Sequence, residues 1–178
     1  MKKIRYFLIF LPLLSSCAVN ISPIKHDRNY ALESGKAFVV IGINPDRDLE
    51  NLKISGPQNL EITSEYLTFG VKYFLLELEI GTYTIDTARR TNKQKSPFLA
   101  KILTSKLDNE QILSFTVSSG QINYTGDIGI YSLSIIQLGA DILNCTRNAN
   151  EFVEKSYPEI AKKYAIKYVG NYRSVFTC

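Results

Sequence analysis

The chain has 178 residues and a formal net charge of +4, from 21 basic and 17 acidic side chains. Lys2, Lys3 and Arg5 supply three of the basic residues, so the chain beyond them is nearly neutral. No long run of Lys or Arg follows, which excludes nucleic acid as the expected partner. The length suits one domain with a sizeable core.

The first residues have the order of an export signal. An apolar run from Tyr6 to Leu14 follows the early charges and leads into Ser15-Ser16-Cys17. This order predicts a signal peptide over residues 1–16. A transmembrane helix is a poor alternative, because the apolar run is about nine residues and contains Pro12, whereas a span needs roughly 20.

The segment Leu14-Ser15-Ser16-Cys17 resembles the lipobox of bacterial lipoproteins. In that family the Cys is acylated with fatty chains such as palmitate and becomes the first mature residue. The resemblance therefore implies lipid attachment at Cys17 and anchoring to a membrane of the cell envelope. The family's inner-membrane retention signal is an Asp after the Cys, and Ala18 stands there instead, which implies the periplasmic face of the outer membrane. An ordinary cleaved secretory signal is the alternative.

Residues 17–35 show little periodicity, and we expect the lipidated Cys and a tether there. Residues 36–147 show β-type patterning. In residues 73–80, for example, Phe74, Leu76 and Leu78 alternate with more polar positions, and Gly81 then shifts the parity so that Tyr83 and Ile85 point inward. The predicted strands cover 37–41, 52–55, 60–69, 73–80, 82–86, 98–103, 113–117 and 128–138.

About eight short strands separated by turn signals predict an antiparallel β-sandwich. The segments LELEIGTYTI (residues 76–85) and VSSGQINYTGDI (residues 117–128) resemble parts of prealbumin-like or Ig-like β-domains and of small bacterial lipoproteins of uncharacterised function. The resemblance implies an Ig-like or prealbumin-like sandwich. It implies no catalytic residues, because that group has no agreed ones.

Residues 148–178 change in character and predict a short α-helical C-terminal appendage on the sandwich. Asn148 or Asn150 is the expected N-cap. Val153, Tyr157, Ile160, Tyr164 and Tyr168 recur at helical spacing, and Pro158 requires a break. We expect a last strand over residues 172–177.

Cys145 and Cys178 are the two cysteines left after Cys17. An exported chain folds in an oxidising compartment, so the pair predicts a disulfide. A buried Cys145 with an unpaired terminal Cys178 is the alternative. A metal site would need more ligands than this cysteine pair, and the sole His, His26, precedes the predicted domain, so we do not expect one.

The remaining candidates for chemistry are few. Glu77 and Glu79 lie two residues apart on one predicted strand, a pairing that suits solvent-facing charges better than glycosidase carboxylates. The densest basic stretch contains Arg89, Arg90, Lys93 and Lys95, and it is either a solvated loop or a contact loop for an acidic partner, lipid headgroups or lipopolysaccharide phosphates.

These observations predict a non-enzymatic binding or accessory module, anchored by lipid in the cell envelope, with envelope proteins as partners and no cofactor. Two alternatives stay open. One is an envelope enzyme that acts on cell-wall or glycan material, and the other is a secretion-system assembly lipoprotein.

Overall fold

The computed structural model describes residues 19–27, 30–46, 49–90, 99–104, 113–132, 138–171 and 178. Cys17, Lys93 and Lys95 lie outside these ranges, as does the predicted strand over 172–177. The strands in the described part are β1 (Val19–Asn20), β2 (Lys36–Pro45), β3 (Leu49–Ser55), β4 (Leu60–Thr63), β5 (Lys72–Glu79), β6 (Gly81–Arg90), β7 (Leu99–Thr104), β8 (Ser114–Val117), β9 (Ile122–Ser132), β10 (Leu138–Leu143) and β11 (Ile166–Tyr168). The helices are α1 (Thr146–Ser156) and α2 (Pro158–Ala161).

The strands form two mixed five-stranded sheets that pack face to face. The first sheet contains β1, β4, β3, β6 and β8, and the second contains β5, β2, β9, β10 and β11. Strand β7 pairs with β6 of the first sheet and with β10 of the second, so it joins the two sheets along one side.

The predicted antiparallel pairing is wrong for four pairs of strands. Strands β1 and β4, β2 and β9, β9 and β11, and β7 and β10 run parallel. Alternation shows which face of a sheet a side chain occupies. It does not show whether the neighbouring strand runs parallel or antiparallel, because the alternation is the same in both cases. Parallel neighbours also need long crossovers, which leave no local turn signal.

The run predicted as one strand over 128–138 belongs to two strands. Strand β9 begins earlier, at Ile122, and ends at Ser132, whereas Leu138 begins β10, which pairs antiparallel with β9. A turn at Ser119-Gly120 precedes β9, with Gly120 at φ 76°. Gly81, where the alternation was predicted to shift, stands at the junction of β5 and β6 with φ 144°.

The helical appendage is confirmed, with two corrections to its details. Pro158 stands in the first turn of α2, where its missing N–H is not needed. The N-cap of α1 is Cys145, so the prediction of Asn148 or Asn150 is wrong. Helix α2 ends at Ala161, and Tyr168 belongs to β11 instead of a helix. The pairing of β11 with β9 overrides the helical spacing of the tyrosines.

The predicted inward residues of β5 and β6 lie between the two sheets. Phe74, Leu76, Leu78, Tyr83 and Ile85 are all buried there. We call this apolar layer the inter-sheet core. It also holds Ala37, Val39, Ile41, Ile43, Leu49, Leu52, Ile54, Leu60, Ile62, Leu67, Phe115, Val117, Ile128, Ile130 and Ile142.

The outer face of the second sheet is buried as well, under the two helices. Phe38, Val40, Leu75, Ile122 and Tyr124 of this sheet contact a helical layer. That layer contributes Ala149, Val153, Tyr157 and Ile160, together with Cys145 and Ile24. We call this second cluster the helix-side core. Burial on both faces explains why residues 37–41 are apolar without alternation.

The described part of the expected tether is bound to the domain. The Ile21 N–H donates to the Glu61 carbonyl of the first sheet (3.1 Å), and the Ile24 N–H donates to the Leu75 carbonyl of the second (2.8 Å). Tyr157 donates its hydroxyl to the Ile24 carbonyl at 2.6 Å. This segment therefore bridges the two sheets on the side opposite β7.

Candidate functional site

Cys17, the predicted lipidation site, lies outside the described residues. The first described residue is Val19, whose N–H donates to the Asn59 carbonyl at 2.8 Å and which pairs with Leu60. Val19 is 49% exposed. Within the described ranges, no helix is both long enough and apolar enough to cross a bilayer.

The predicted disulfide is confirmed. Cys145 and Cys178 are bonded, with their Cα atoms 4.8 Å apart. The Cys178 N–H also donates to the Asn144 carbonyl at 3.4 Å. The bridge therefore fixes the C-terminus to the start of α1, at the rim of the helix-side core.

The predicted contact loop begins at the end of β6. Arg89 and Arg90 are the last two residues of that strand, and Lys93 and Lys95 belong to the undescribed residues that follow. The Arg89 guanidinium donates to Glu50 Oε1 at 3.1 Å, with both side chains partly exposed. A carboxylate thus balances one of the four positive charges, an arrangement that the sequence did not predict.

The strand directions place Val19 and Arg89 towards opposite ends of the sandwich. Strand β6 runs from Gly81 to Arg90, β3 runs antiparallel to it, and β1 runs parallel to β4. We call the end with Val19, the 56–59 turn and the β5–β6 turn the Val19 end. We call the other end, where β6 finishes, the Arg89 end.

The Arg89 end also carries exposed apolar side chains. Phe69 is 74% exposed and Val71 is 49% exposed, in the segment between β4 and β5. The Leu67 carbonyl in this segment accepts from the N–H of Leu49, the residue that pairs with Arg90. The apolar and basic groups therefore share one end of the molecule. The sequence reasoning missed Phe69, because it assigned that residue to a strand over 60–69.

A buried polar cluster lies on the second sheet, and sequence reasoning did not identify it. Asp127 is 4% exposed. Its Oδ1 accepts from the Tyr124 hydroxyl at 2.6 Å, and its Oδ2 accepts from the Tyr73 hydroxyl at 2.9 Å. The Cys145 N–H donates to the Tyr124 hydroxyl at 3.3 Å. Gly42 makes room for this cluster, since a Cβ there would lie 2.1 Å from Asp127 Oδ1.

The electrostatics of the cluster follow from its burial. Burial raises the pKa of Asp127, and the hydrogen bonds from Tyr124 and Tyr73 oppose that rise. Burial, reinforced by the carboxylate, raises the pKa of both tyrosines. The carboxylate and both hydroxyls of the cluster are hydrogen-bonded. These hydrogen bonds connect β5, β9 and the N-cap residue of α1.

The two glutamates of β5 also have separate environments. Glu77 Oε1 accepts from the Glu33 N–H at 2.9 Å, and the Tyr30 hydroxyl donates to Glu77 Oε2. Glu79 is exposed at the strand end. Glu77 therefore holds residues 30–33 against the sheet. Among the residues that the structure describes, no grouping of three or more His, Cys, Asp or Glu side chains is arranged to hold a metal ion.

Comparison with known proteins adds no relative. No protein-family model matches the chain, and neither a curated protein nor a solved structure is significantly similar to it.

Proposed function

We propose that the protein is a lipid-anchored, non-enzymatic binding or accessory module of the cell envelope, held to the periplasmic face of the outer membrane through Cys17. The lipobox-like sequence before Cys17 supports the anchor. One observation supports a binding role most strongly: exposed Phe69 and Val71 lie at the same end of the sandwich as Arg89, at the basic end of β6. Exposed apolar surface next to charge is typical of protein interaction sites.

The partner that fits this surface is an envelope protein with an apolar centre and an acidic rim. Positive side chains beside an apolar patch steer association, and burial of the aromatic ring supplies affinity. The proposal needs no cofactor and no nucleic acid. An Ig-like or prealbumin-like classification of the sandwich is part of the same hypothesis, and it applies to the β-domain over residues 36–147.

Site-specific photo-crosslinking in living cells tests the binding role. A benzophenone amino acid replaces Phe69 in one strain and exposed Glu151 of α1 in the control strain. We expect one protein adduct of defined mass at position 69, absent at 151 and weakened when Arg90 and Lys93 are changed to Glu. Equal adducts at both positions, or none at 69, would contradict the proposal.

The identity of the adduct separates the alternatives. A secretion-system component in it would favour an assembly lipoprotein. Hydrolysis of envelope glycan by the purified chain would favour the enzyme instead. Labelling with an alkyne palmitate analogue tests the anchor, and a Cys17→Ser chain that retains the full label would refute acylation at that residue.

A further inference from the structure

The proposed anchor lies very close to the folded domain. Two peptide units separate Cys17 from Val19, and they span at most about 7 Å. The headgroup layer on each side of a bilayer is itself roughly 5–7 Å thick. Lipid chains on Cys17 therefore keep Val19 at the headgroups of the anchoring leaflet.

The chain from Val19 onward allows little rotation of the domain about the anchor. Val19 is bound to the 56–59 turn through Asn59, and Ile21 and Ile24 are buried, with backbone hydrogen bonds to both sheets. The connection behaves as an edge strand and not as a flexible linker, because flexible linkers have no such backbone partners. The domain's orientation on the membrane is then set by which surface surrounds Val19.

The surface at the Val19 end is apolar at its outermost points. Val19 is 49% exposed, and Ile80, in the β5–β6 turn, is 42% exposed. The 56–59 turn joins them, because Asn59 accepts from Val19 and Pro57 touches Gly81, where an added Cβ would lie 2.5 Å from the proline Cγ. The apolar side chains therefore belong to one continuous end of the sandwich.

We infer that the Val19 end rests in the headgroup layer of the anchoring leaflet, with Val19 and Ile80 in contact with lipid. The inference rests on the proposed acylation of Cys17. Pairing through Leu60 and Ile54 puts Val19 level with Ile85 of β6, and Arg89 lies four residues farther along that strand, about 13 Å at 3.3 Å per residue. From the β5–β6 turn, the 10 residues of β6 span about 30 Å. Both lengths exceed the Debye length of about 8 Å. The Arg89 end then faces away from its own leaflet and is presented to a partner from the opposite side.

Fluorescence quenching on the full lipidated protein tests the orientation. An NBD label is placed on Ile80→Cys, and on Phe69→Cys as the matched label at the Arg89 end, with the Cys145–Cys178 bridge intact. The proteins are reconstituted in vesicles of phosphatidylethanolamine and phosphatidylglycerol that contain a lipid-borne spin-label quencher. We expect at least twofold quenching and a blue-shifted emission at position 80, and neither at position 69.

Mass spectrometry of the same samples separates this inference from the proposed anchor. Acylated protein that is unquenched at position 80, or quenched more at 69, refutes the orientation and leaves the anchor intact. A chain without acyl mass on Cys17 refutes both. The exposed neighbour Glu79→Cys provides a second label if Ile80→Cys fails to fold, and it should also be quenched.

Discussion

The two faces of the second sheet are buried in chemically different ways. The inter-sheet core is mainly aliphatic, with Tyr83 stacked on Phe115 at a centroid separation of 5.3 Å. The helix-side core is rich in aromatic rings and adjoins the buried Asp127 and the Cys145–Cys178 bridge. One core depends chiefly on non-directional burial, whereas the other depends also on bonds with fixed geometry.

This difference indicates that directional contacts, such as ring stacking, a disulfide and hydrogen bonds, hold the helices on the second sheet. Helix α1 has 11 residues, which is too short to be stable alone in water. Its tertiary attachments include the stacking of Phe152 on Tyr73 of β5, the disulfide at its N-cap residue Cys145, and the hydrogen bond from Tyr157 to Ile24. Removing single attachments should therefore loosen the helical layer before it affects the inter-sheet core.

Loss of the disulfide should give the largest effect. Cys145→Ser with Cys178→Ser opens a loop with a sequence separation of 33 residues, and loop-closure entropy predicts a loss of roughly 3–4 kcal/mol in the free energy of unfolding. Urea titration measures this value. Hydrogen exchange should show faster exchange in α1 than in β3 and β6. Uniform acceleration across all three elements would contradict a separate helical layer.

Removal of the buried carboxylate should come next. Asp127→Ala leaves the Tyr124 and Tyr73 hydroxyls without their acceptor, at a cost of about 2–3 kcal/mol in unfolding free energy. Asp127→Asn is the matched control. It keeps an acceptor and removes a charge that burial disfavours, so it should cost less than about 1 kcal/mol. Equal losses in both variants would show that the charge itself stabilises the cluster.

The difference in unfolding free energy between Asp127→Asn and the wild-type chain should change with pH in a definite direction. The pKa of Asp127 is raised by burial, so the folded chain holds this proton more tightly than the unfolded chain. The stability that this supplies is present at low pH and is lost as the pH rises through the folded pKa. Asp127→Asn should therefore gain stability relative to the wild-type chain as the pH rises from about 3 to 7. A constant difference would contradict the raised pKa.

Tyr83→Phe tests the inter-sheet core with a smaller change. Its hydroxyl donates to the Glu79 carbonyl at 2.9 Å, and its loss should cost about 1 kcal/mol. Burial, helped by the nearby Glu79 charge, raises the pKa of Tyr83 to about 12. The wild-type chain should therefore lose stability between pH 10 and 12, and Tyr83→Phe should lose less.

Tyr30→Phe is the corresponding change on the helix side. Burial, followed by the hydrogen bond and charge of Glu77, raises the pKa of Tyr30 to about 12 as well. In an alkaline titration monitored by circular dichroism, each of the two variants should lose folded structure less steeply than the wild-type chain. An unchanged titration in both would contradict the assignment of the alkaline transition to these residues.

The contrast between the two cores also explains which of their residues could be predicted from the sequence. Alternation identified the inward residues of β5 and β6, because polar residues such as Glu77 and Thr82 recur on the opposite sides of these strands. It did not reveal the cluster of Asp127, Tyr124 and Tyr73, whose members lie up to 54 residues apart and meet through parallel pairing of β2 with β9. Sequence spacing alone does not show that Gly42 faces the Asp127 carboxylate across this pairing. The disulfide was predictable without geometry, because only two cysteines remain after Cys17 and an exported chain is expected to fold in an oxidising compartment.

Reversal of Arg89 should have the smallest effect on folding. Arg89→Glu replaces an ion pair with two facing carboxylates, and exposed pairs contribute less than about 1 kcal/mol. The double variant Glu50→Arg with Arg89→Glu restores opposite charges and should return the midpoint of thermal unfolding to the wild-type value. A loss above 2 kcal/mol in the single variant would show that this pair is a structural element.

The same two variants separate stability from recognition. If a positive end of β6 steers an acidic partner, Arg89→Glu should slow adduct formation at position 69, most strongly at low salt. The charge-swapped variant keeps the net charge of the Arg89 end, because Glu50 and Arg89 exchange positions within it. It should therefore recover most of the crosslinking rate as well as the stability. Recovery of stability without recovery of the crosslinking rate would mean that the partner contacts Arg89 at its own position. An unchanged crosslinking rate in both variants would place the binding surface elsewhere.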